Sequence, residues 1–578
     1  MSARNRARYD FGRFRLEPRR QLLLHDERSV RLKPKVFDLL VFLVENHDRL
    51  VTKRELIERL WPDQFVEESN LSQSVYELRR ALDAEPGGSA YVENVPRRGY
   101  RFVERVQVVS EAGDDEEPAP SIRSLAVLPF RPLVEADRDE TLELGIADSL
   151  IVALGRIESL TVRSTSSIRR YEDPRQDDLA AGRELLVDAV LEGTIQRADD
   201  RLRVTARLVR LSDESTLWAD TFDEPFTGIF EVEDAIRDRI LGALEVELPG
   251  GERARERGTR DVELHQLFLK CRHHWHKWTP EGWRQSIDYG RQALARDPDH
   301  APSYAWMAAS YCCLGIMGEL PPHDAYGEAS ELAVRALELD GTLSDAHATL
   351  GGIELFYRWR WERAERALVR ALALNPSNAG ARALLAQHHV VTGRPEEAIR
   401  TVRRARDTDP LSLLVNTAVG LVYYYARRFD AAEEQFLRTL ELDTWYAHAR
   451  SGLAYVYLAK RRYDEALSEM EAAVEYSRRD RATSANLGYA LAMAGERSAA
   501  EAIRDALIAR SGETFVDPYA IALVHLGLDE RDEAIRWLEA ACEARSRDLI
   551  YLQVNSVFDP FRSDDRFPAL RDRIGLMA

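Results

Sequence analysis

The chain has 578 residues, 45% of them hydrophobic and 31% charged, with a formal net charge of −18. At roughly 100–200 residues per domain, this length calls for several domains or a long repeat array, and the composition excludes a disordered chain. Apolar runs such as Leu39–Val44 fall far short of the ~20 residues that span a bilayer. The opening MSARNRARYDFGRF lacks the apolar core of a secretory signal. The 4 cysteines have no CxxC spacing, which excludes a disulfide framework and points to reduced thiols in a cytoplasmic protein.

The charge is unevenly distributed. Residues 1–106 hold 21 Lys/Arg and 17 Asp/Glu, a net of +4, which leaves −22 for the remainder. A basic head on an acidic body suggests a polyanionic partner for the head alone.

Three strand-like runs come first, at Arg8–Leu16, Gln21–Leu24 and Val30–Leu32. Helical periodicity follows over Pro34–Asn46, with Pro34 suited to a first turn. A second helix opens at Thr52 with Glu55 three residues on, a capping box in which each side chain satisfies the other's orphan amide. The third helix, about Glu67–Leu82, buries a stripe of Leu71, Val75, Leu78 and Leu82. Its opposite face carries Ser69, Gln73, Tyr76, Glu77 and Arg80, with Asn70 beside them. Amides of this kind can pair bidentately with adenine, and an arginine with guanine. Then Tyr91–Val103 reads as two β-like runs flanking Pro96-Arg97-Arg98-Gly99, a hairpin with two cations at its tip. A polar-faced helix followed by a basic hairpin has the physical logic of a winged helix, with one element in the major groove and the other on the backbone.

Over residues 9–105 the chain resembles the OmpR/PhoB-type winged helix-turn-helix domain. The matching pieces are LKPKVFDLLVFLVENHDRLVTKRELIERLWPD, VEESNLSQSVYELRRALD and YVENVPRRGYRFV, in that order. The resemblance implies a recognition helix over Glu67–Leu82, with Ser69, Asn70, Gln73, Tyr76, Glu77, Arg79 and Arg80 as DNA-binding residues, and Arg97 and Arg98 at the wing. No receiver domain is expected ahead of it, so the order looks like the CadC/ToxR type, without a membrane span.

Residues 108–122 are acidic and contain proline, and read as a flexible linker. From 123 to 247 strands and helices alternate, beginning with the buried run SLAVLPF and closing with a helix over Ile229–Leu244. This α/β module resembles the N-terminal domain of TolB-like proteins through SLAVLPF, GIADSLIVALGRIESLTV, AVLEGTIQRADDRLRVTARLV and LWADTFDEP. Asp199-Asp200 reads as a solvated turn rather than a metal pair. A second linker is placed at 248–260.

Repeats organise the rest. Ala364, Ala398, Ala432, Ala466, Ala500 and Ala534 are spaced by 34, and Gly352, Ala386, Gly420, Ala454, Gly488 and Ala522 stand 12 residues upstream of each. Paired small residues at this period are the tetratricopeptide signature, because antiparallel helices can approach closely only there. Looser repeats centre on Ser286 and Ala329, with an insertion around Gly318–His323, giving about eight repeats over 261–548. Residues 549–578 resemble the cap that ends such arrays. The expected fold is therefore multidomain: a winged helix (α+β) over 1–107, an α/β module, and an all-α tetratricopeptide solenoid.

The stretch Cys271-Arg-His-His-Trp-His276 contains metal-ligating residue types, but His273, His274 and His276 would point in three directions on a helix. His388-His389 is read as helix surface. The sequence contains no P-loop, GxGxxG, GxSxG or HExxH pattern. No catalytic residue, metal or cofactor is expected. The reading is a DNA-binding transcriptional regulator with three expected partners: double-stranded DNA, a protein or peptide in the repeat groove, and a second copy of the chain on DNA. The alternative is a tetratricopeptide scaffold whose winged helix contacts protein, favoured by Glu67, Glu68 and Glu77 and opposed by Arg79, Arg80, Arg97 and Arg98.

Overall fold

A computed structural model describes residues 7–576 apart from 18–21, 26–27, 31, 48, 61–67, 83–90, 96–97, 111–121, 134–137, 174, 199–200, 226–228, 245–260 and 478–480. The expected linker at 248–260 and the Asp199-Asp200 turn lie outside the described residues. The chain divides into two compact units, Met1–Pro120 and Ser121–Ala578.

The first unit opens with strands β1 (Ala7–Phe11), β2 (Phe14–Glu17), β3 (Leu22–His25) and β4 (Arg28–Ser29). Phe11 pairs with Phe14 across a two-residue turn. Gly12 starts that turn at φ 53°, a left-handed conformation that glycine adopts without steric cost. Helix α1 (Pro34–Glu45), β5 (Val51–Thr52), α2 (Lys53–Leu60) and α3 (Glu68–Leu82) follow, then β6 (Val92–Val95), β7 (Gly99–Phe102) and β8 (Val106–Ser110). The sheets run β4-β3-β2-β1-β8 and β5-β7-β6. Strand β8 pairs with β1 from Ala7↔Ser110 to Phe11↔Val106, which corrects the linker boundary. Residues 108–110 close the N-terminal sheet instead of opening a tether, and the remaining expected linker residues before Ile122 lie outside the described residues. Leu71, Val75, Leu78 and Leu82 are all buried, as the stripe requires.

The second unit begins with the α/β module: β9 (Ser124–Val127), β10 (Arg131–Pro132), α4 (Glu140–Leu154), β11 (Thr161–Val162), α5 (Thr165–Ile168), α6 (Asp178–Glu184), β12 (Ala189–Ala198), β13 (Arg201–Arg210), β14 (Thr216–Pro225) and α7 (Ile229–Ala243). The order β11-β9-β12-β13-β14 is parallel around β9 and antiparallel from β12 onward. Strand β13 alternates over 201–208, burying Leu202, Val204, Ala206 and Leu208 while Arg201, Arg203, Thr205 and Arg207 stay exposed. Its helices therefore cover one face of the sheet.

Eight helix pairs follow among the described residues. They are α8 (Val262–Trp275) with α9 (Pro280–Arg296), α10 (Ala301–Ile316) with α11 (Pro322–Leu339), α12 (Ser344–Ile353) with α13 (Trp361–Leu374), and α14 (Ala379–Val391) with α15 (Pro395–Thr408). The last four are α16 (Leu413–Tyr425) with α17 (Phe429–Leu442), α18 (Ala447–Ala459) with α19 (Tyr463–Tyr476), α20 (Arg481–Ala494) with α21 (Arg497–Ser511), and α22 (Pro518–Gly527) with α23 (Arg531–Ala544). The insertion in the early repeats lengthens helices more than a loop: α10 has 16 residues and α11 has 18, against 13 in α14 and 14 in α15.

The small-residue ladder has a direct steric cause. The Phe436 ring is fully buried and lies against both Gly420 and Gly452; a Cβ added at Gly420 would come within 2.5 Å of it. At Gly352 the same Cβ would meet only Leu384, at an ordinary 3.8 Å.

The α/β module and the solenoid share a polar seam. Arg163, nearly fully buried, donates to the Leu185 and Leu186 carbonyls on one side and to those of Asp407 (3.0 Å) and Thr408 (2.5 Å) on the other. Ser164 and Ser167 donate to Asp409, and Ser377 accepts from the Val162 amide at 3.2 Å. Gly145 in α4 lets Leu269 of α8 pack against the helix backbone.

The C-terminal segment departs from the expectation of an end cap. Helix α24 (Phe567–Arg573) packs on α23 as a cap does. Residues 547–561 instead run back to much earlier repeats. The Tyr551 hydroxyl donates to Gln387 (2.9 Å), and the Tyr424 hydroxyl donates to Asn555 (2.9 Å).

Two substitutions test the ladder by urea unfolding. Gly420→Ala should cost about 1–3 kcal/mol through overpacking against Phe436. Gly352→Ala should be neutral, or stabilise by up to ~1 kcal/mol, because a helix interior prefers alanine where space allows.

Candidate nucleic-acid interface and other polar clusters

The candidate DNA-reading face belongs to α3 and the β6–β7 hairpin. The Thr52 amide donates to Glu55 (2.8 Å) and the Glu55 amide to the Thr52 hydroxyl (3.2 Å), so the capping box forms as read. The Thr52 amide, then its hydroxyl and Arg49, hold the Glu55 carboxyl down to about 2. Helix α2 is thereby fixed at the end that meets the hairpin, where the Lys53 amide donates to the Arg98 carbonyl (3.3 Å).

Gly99 explains part of the Pro-Arg-Arg-Gly pattern. Strand β7 pairs with β5 through Val51↔Tyr100 and Thr52↔Gly99. Any Cβ at Gly99 would run into the Val51 carbonyl and lie 2.8 Å from the Thr52 Cα. The hairpin tip is closed by the Arg98 amide donating to the Val95 carbonyl (3.0 Å), and the Arg98 side chain is exposed.

The named residues of α3 divide by role. Gln73, Tyr76 and Arg80 are exposed; Tyr76, at 61%, is an unusually exposed aromatic. Glu77 is half-buried, pairs with Lys33 (2.9 Å) and accepts from Gln73 (3.4 Å). The Lys33 hydrogen bond, with that of Gln73, lowers its carboxyl below the usual range. Its negative charge is therefore matched within the fold. Arg79 points elsewhere: its Nε and Nη2 donate to the Val92 carbonyl at 3.1 and 2.6 Å, tying α3 to the first wing strand. It is half-buried and acts as a bracket between the two elements. Ser69 and Asn70 fall in the first turn of α3, but their side chains, like all of Arg97 and Glu67, lie outside the described residues. Arg54, exposed in the first turn of α2 and next to the residue that bonds the wing tip, was not singled out in the sequence. Its signal there is a cation two residues after a cap.

The other clusters are structural. Cys271 is fully buried, contacts the Ser286 hydroxyl at 3.3 Å, and burial pushes its thiol up to about 11. The neighbouring histidines diverge: His274 stacks on Tyr289 (5.2 Å between centroids), His273 is buried, and His276 approaches Asp148 at 3.6 Å. Asp148 is buried between α4 and α8, ion-paired with Arg272 and accepting from Thr165. Burial alone would raise its carboxyl, but Arg272 and His276 outweigh that and hold it at about 2.

His388 and His389 are not helix surface: both are buried. With Glu365 they bring three ligand-type atoms within 4.8 Å of one another. Arg394 already engages two members of this group, donating to both Glu365 oxygens (2.9 and 3.0 Å) and contacting His388 Nδ1 (3.2 Å). His388 Nε2 faces the Trp361 carbonyl at 2.9 Å, and burial pushes its imidazole down to about 4. A guanidinium here supplies the positive charge that a metal ion would bring, and the cluster joins α13, α14 and α15.

Among the described residues no helix is long and apolar enough to cross a membrane. Residues 27–102 match the family model "Transcriptional regulatory protein, C terminal". Residues 121–239 match "HilA/YgeH-like transcriptional regulator, second domain", the region whose motifs resemble TolB-like proteins. Residues 360–419 and 418–482 match tetratricopeptide repeat models. The chain is 26% identical to the transcriptional regulator HilA of Salmonella typhi over 416 residues, covering 71% of this chain and 72% of that one. It is 30% identical to the transcriptional activator CadC of Escherichia coli strain K12 over 106 residues, 18% of this chain and 21% of CadC. It is also 31% identical to putative adenylate cyclase 3 of Rhizobium meliloti over 266 residues, 43% of this chain and 44% of that protein. The chain is thus homologous to the HilA and CadC transcriptional regulators and joins a winged-helix domain of the transcriptional-regulator type, a HilA-like second domain and tetratricopeptide repeats.

Proposed function

We propose that the first unit reads duplex DNA, with α3 in the major groove and the β6–β7 wing on the backbone, and that the second unit receives a protein or ligand signal. The observation that carries this reading is the exposed set Gln73, Tyr76 and Arg80 on one face of α3, beside an exposed Arg98 at the wing tip. Gln73 and Arg80 have the chemistry to read base edges, Tyr76 can contact a thymine methyl or a phosphate, and Arg98 with Arg97 supplies phosphate contacts. The pairing of Glu77 with Lys33 weakens the argument for a protein-binding winged helix, because the acid is neutralised within the fold. A single winged helix offers only about 600–1,000 Å² to DNA, so paired sites occupied by two copies follow. The repeats in the body support a protein partner.

The test is DNA affinity against salt, using a duplex selected from a random library by the full chain. Arg80→Ala should raise Kd on the order of tenfold and relax the preference at one base position. The double change Arg97→Ala with Arg98→Ala should weaken all sequences alike and reduce the log–log salt slope by about 2. Unchanged affinity and slope in both variants would remove DNA reading from this face and favour the scaffold alternative.

Arg79→Ala separates reading from support. The thermal midpoint of the first unit should fall, since the Val92 carbonyl loses a charged donor worth about 1.5–3 kcal/mol. The salt slope should not change.

A further inference from the structure

Segment 547–576 contacts repeats far from the one it follows. Arg427 grips Asp559 with both guanidinium nitrogens at 2.7 Å. The Tyr551 ring stacks on Tyr425 with centroids 4.2 Å apart and planes within 13°, and its hydroxyl reaches Gln387. The Tyr424 hydroxyl contacts Asn555 at 2.9 Å and Ser556 at 2.6 Å. At the far end, Trp361 donates to the Gly575 carbonyl at 2.8 Å, a contact 214 residues apart in the chain. Gln387, Tyr424 and Tyr425 lie on the first helices of their pairs, and Arg427 follows directly after α16. An end cap needs contact only with the last pair, α22 and α23. This segment makes that contact and also lies along the first-helix face of repeats at the middle of the array.

The contacts have the form of peptide recognition. Aromatic anchors enter buried positions, with Tyr551 and Phe558 both buried, and a bidentate arginine reads a carboxylate. Most of the hydrogen bonds come from side chains of the array, not from backbone continuing a regular element.

We propose that the first-helix face of the solenoid is a peptide-recognition site whose resident ligand is the chain's own segment 547–576. A partner entering this face presents the same chemistry, an aromatic residue followed by an acid as in Phe558-Asp559, and displaces the segment. The sensing face of the body is on this account already occupied, and signal and tail compete for it.

The probe is a fluorescent synthetic peptide of residues 547–576, titrated into the full chain. Wild-type chain should take up little of it. A full chain with Tyr551→Ala and Asp559→Ala in its own tail should bind the wild-type peptide at least tenfold more tightly. Adding Arg427→Asp to that chain should abolish binding, and a peptide carrying Asp559→Arg should restore it by charge reversal. A folded tail variant that binds no peptide overturns the proposal, as does equal binding by wild-type chain. Should the tail variant fail to melt cooperatively, hydrogen exchange on wild-type chain decides. Amides of 547–561 and the last turns of α14 and α16 should open together at least tenfold more often than α17. Opening only with global unfolding of the body overturns the proposal, since the segment is then an inseparable part of the solenoid.

Discussion

Two helices can bring their backbones into near contact only where the crossing point carries little or no side chain, and this constraint underlies the whole C-terminal body. Gly420 and Gly452 flank a single fully buried ring, Phe436, that belongs to the helix packed against both. The alanines that recur on the second helices, from Ala364 to Ala534, are fully buried as well. Repetition every 34 residues then fixes the helices in one stacking direction, so each pair's apolar face is covered by the next. The ladder is not uniform in strictness. At Gly352 a methyl group would fit, and in the early repeats Ser286 and Ala329 stand on the second helices where the later repeats carry alanine.

The stacked array also determines where the α/β module can attach. The contacts fall where the second helices α13 and α15 end. Arg163 donates to carbonyls at the end of α15, Ser164 and Ser167 reach Asp409 just beyond it, and Ser377 in the connection after α13 bonds to β11. A long guanidinium suits this task because its fan of donors can bridge four carbonyls from two chain segments at once. The Asp148–Arg272 pair and the Gly145–Leu269 contact add a second attachment at α8. The module is therefore built into the solenoid at two places.

Much of this architecture was legible in the sequence because it obeys local rules. The buried stripe of α3, the Thr52–Glu55 box and the 34-residue ladder each follow from a period or a cap, and the described residues place them as read. What the sequence did not reveal depends on contacts between distant segments. Residues 108–110 look like the start of an acidic linker, yet they pair with a strand about a hundred positions earlier. His388-His389 looked like surface because a helix ladder says nothing of what Arg394 brings against it. The tail looked like a cap because the cap contacts of α24 are local, whereas the contacts of Tyr551 and Asp559 cross more than a hundred residues.

The same limit applies within the candidate interface, where two adjacent arginines have different surroundings. Arg79 and Arg80 are chemically identical, and nothing in the order of residues separates them. On a helix they stand about 100° apart, which is enough to turn one toward the wing strand and the other to solvent. The Val92 carbonyl fixes Arg79, and Arg80 is left on the face that Gln73 and Tyr76 share. Charge counting has the same weakness. Of the surplus of +4 in the first hundred residues, Lys33 is already matched by Glu77, and Lys35 donates to the Leu60 carbonyl at 2.6 Å. The cations that remain to meet a polyanion are those whose side chains the fold leaves exposed. Placement rather than net charge therefore decides whether a modestly basic domain can read DNA.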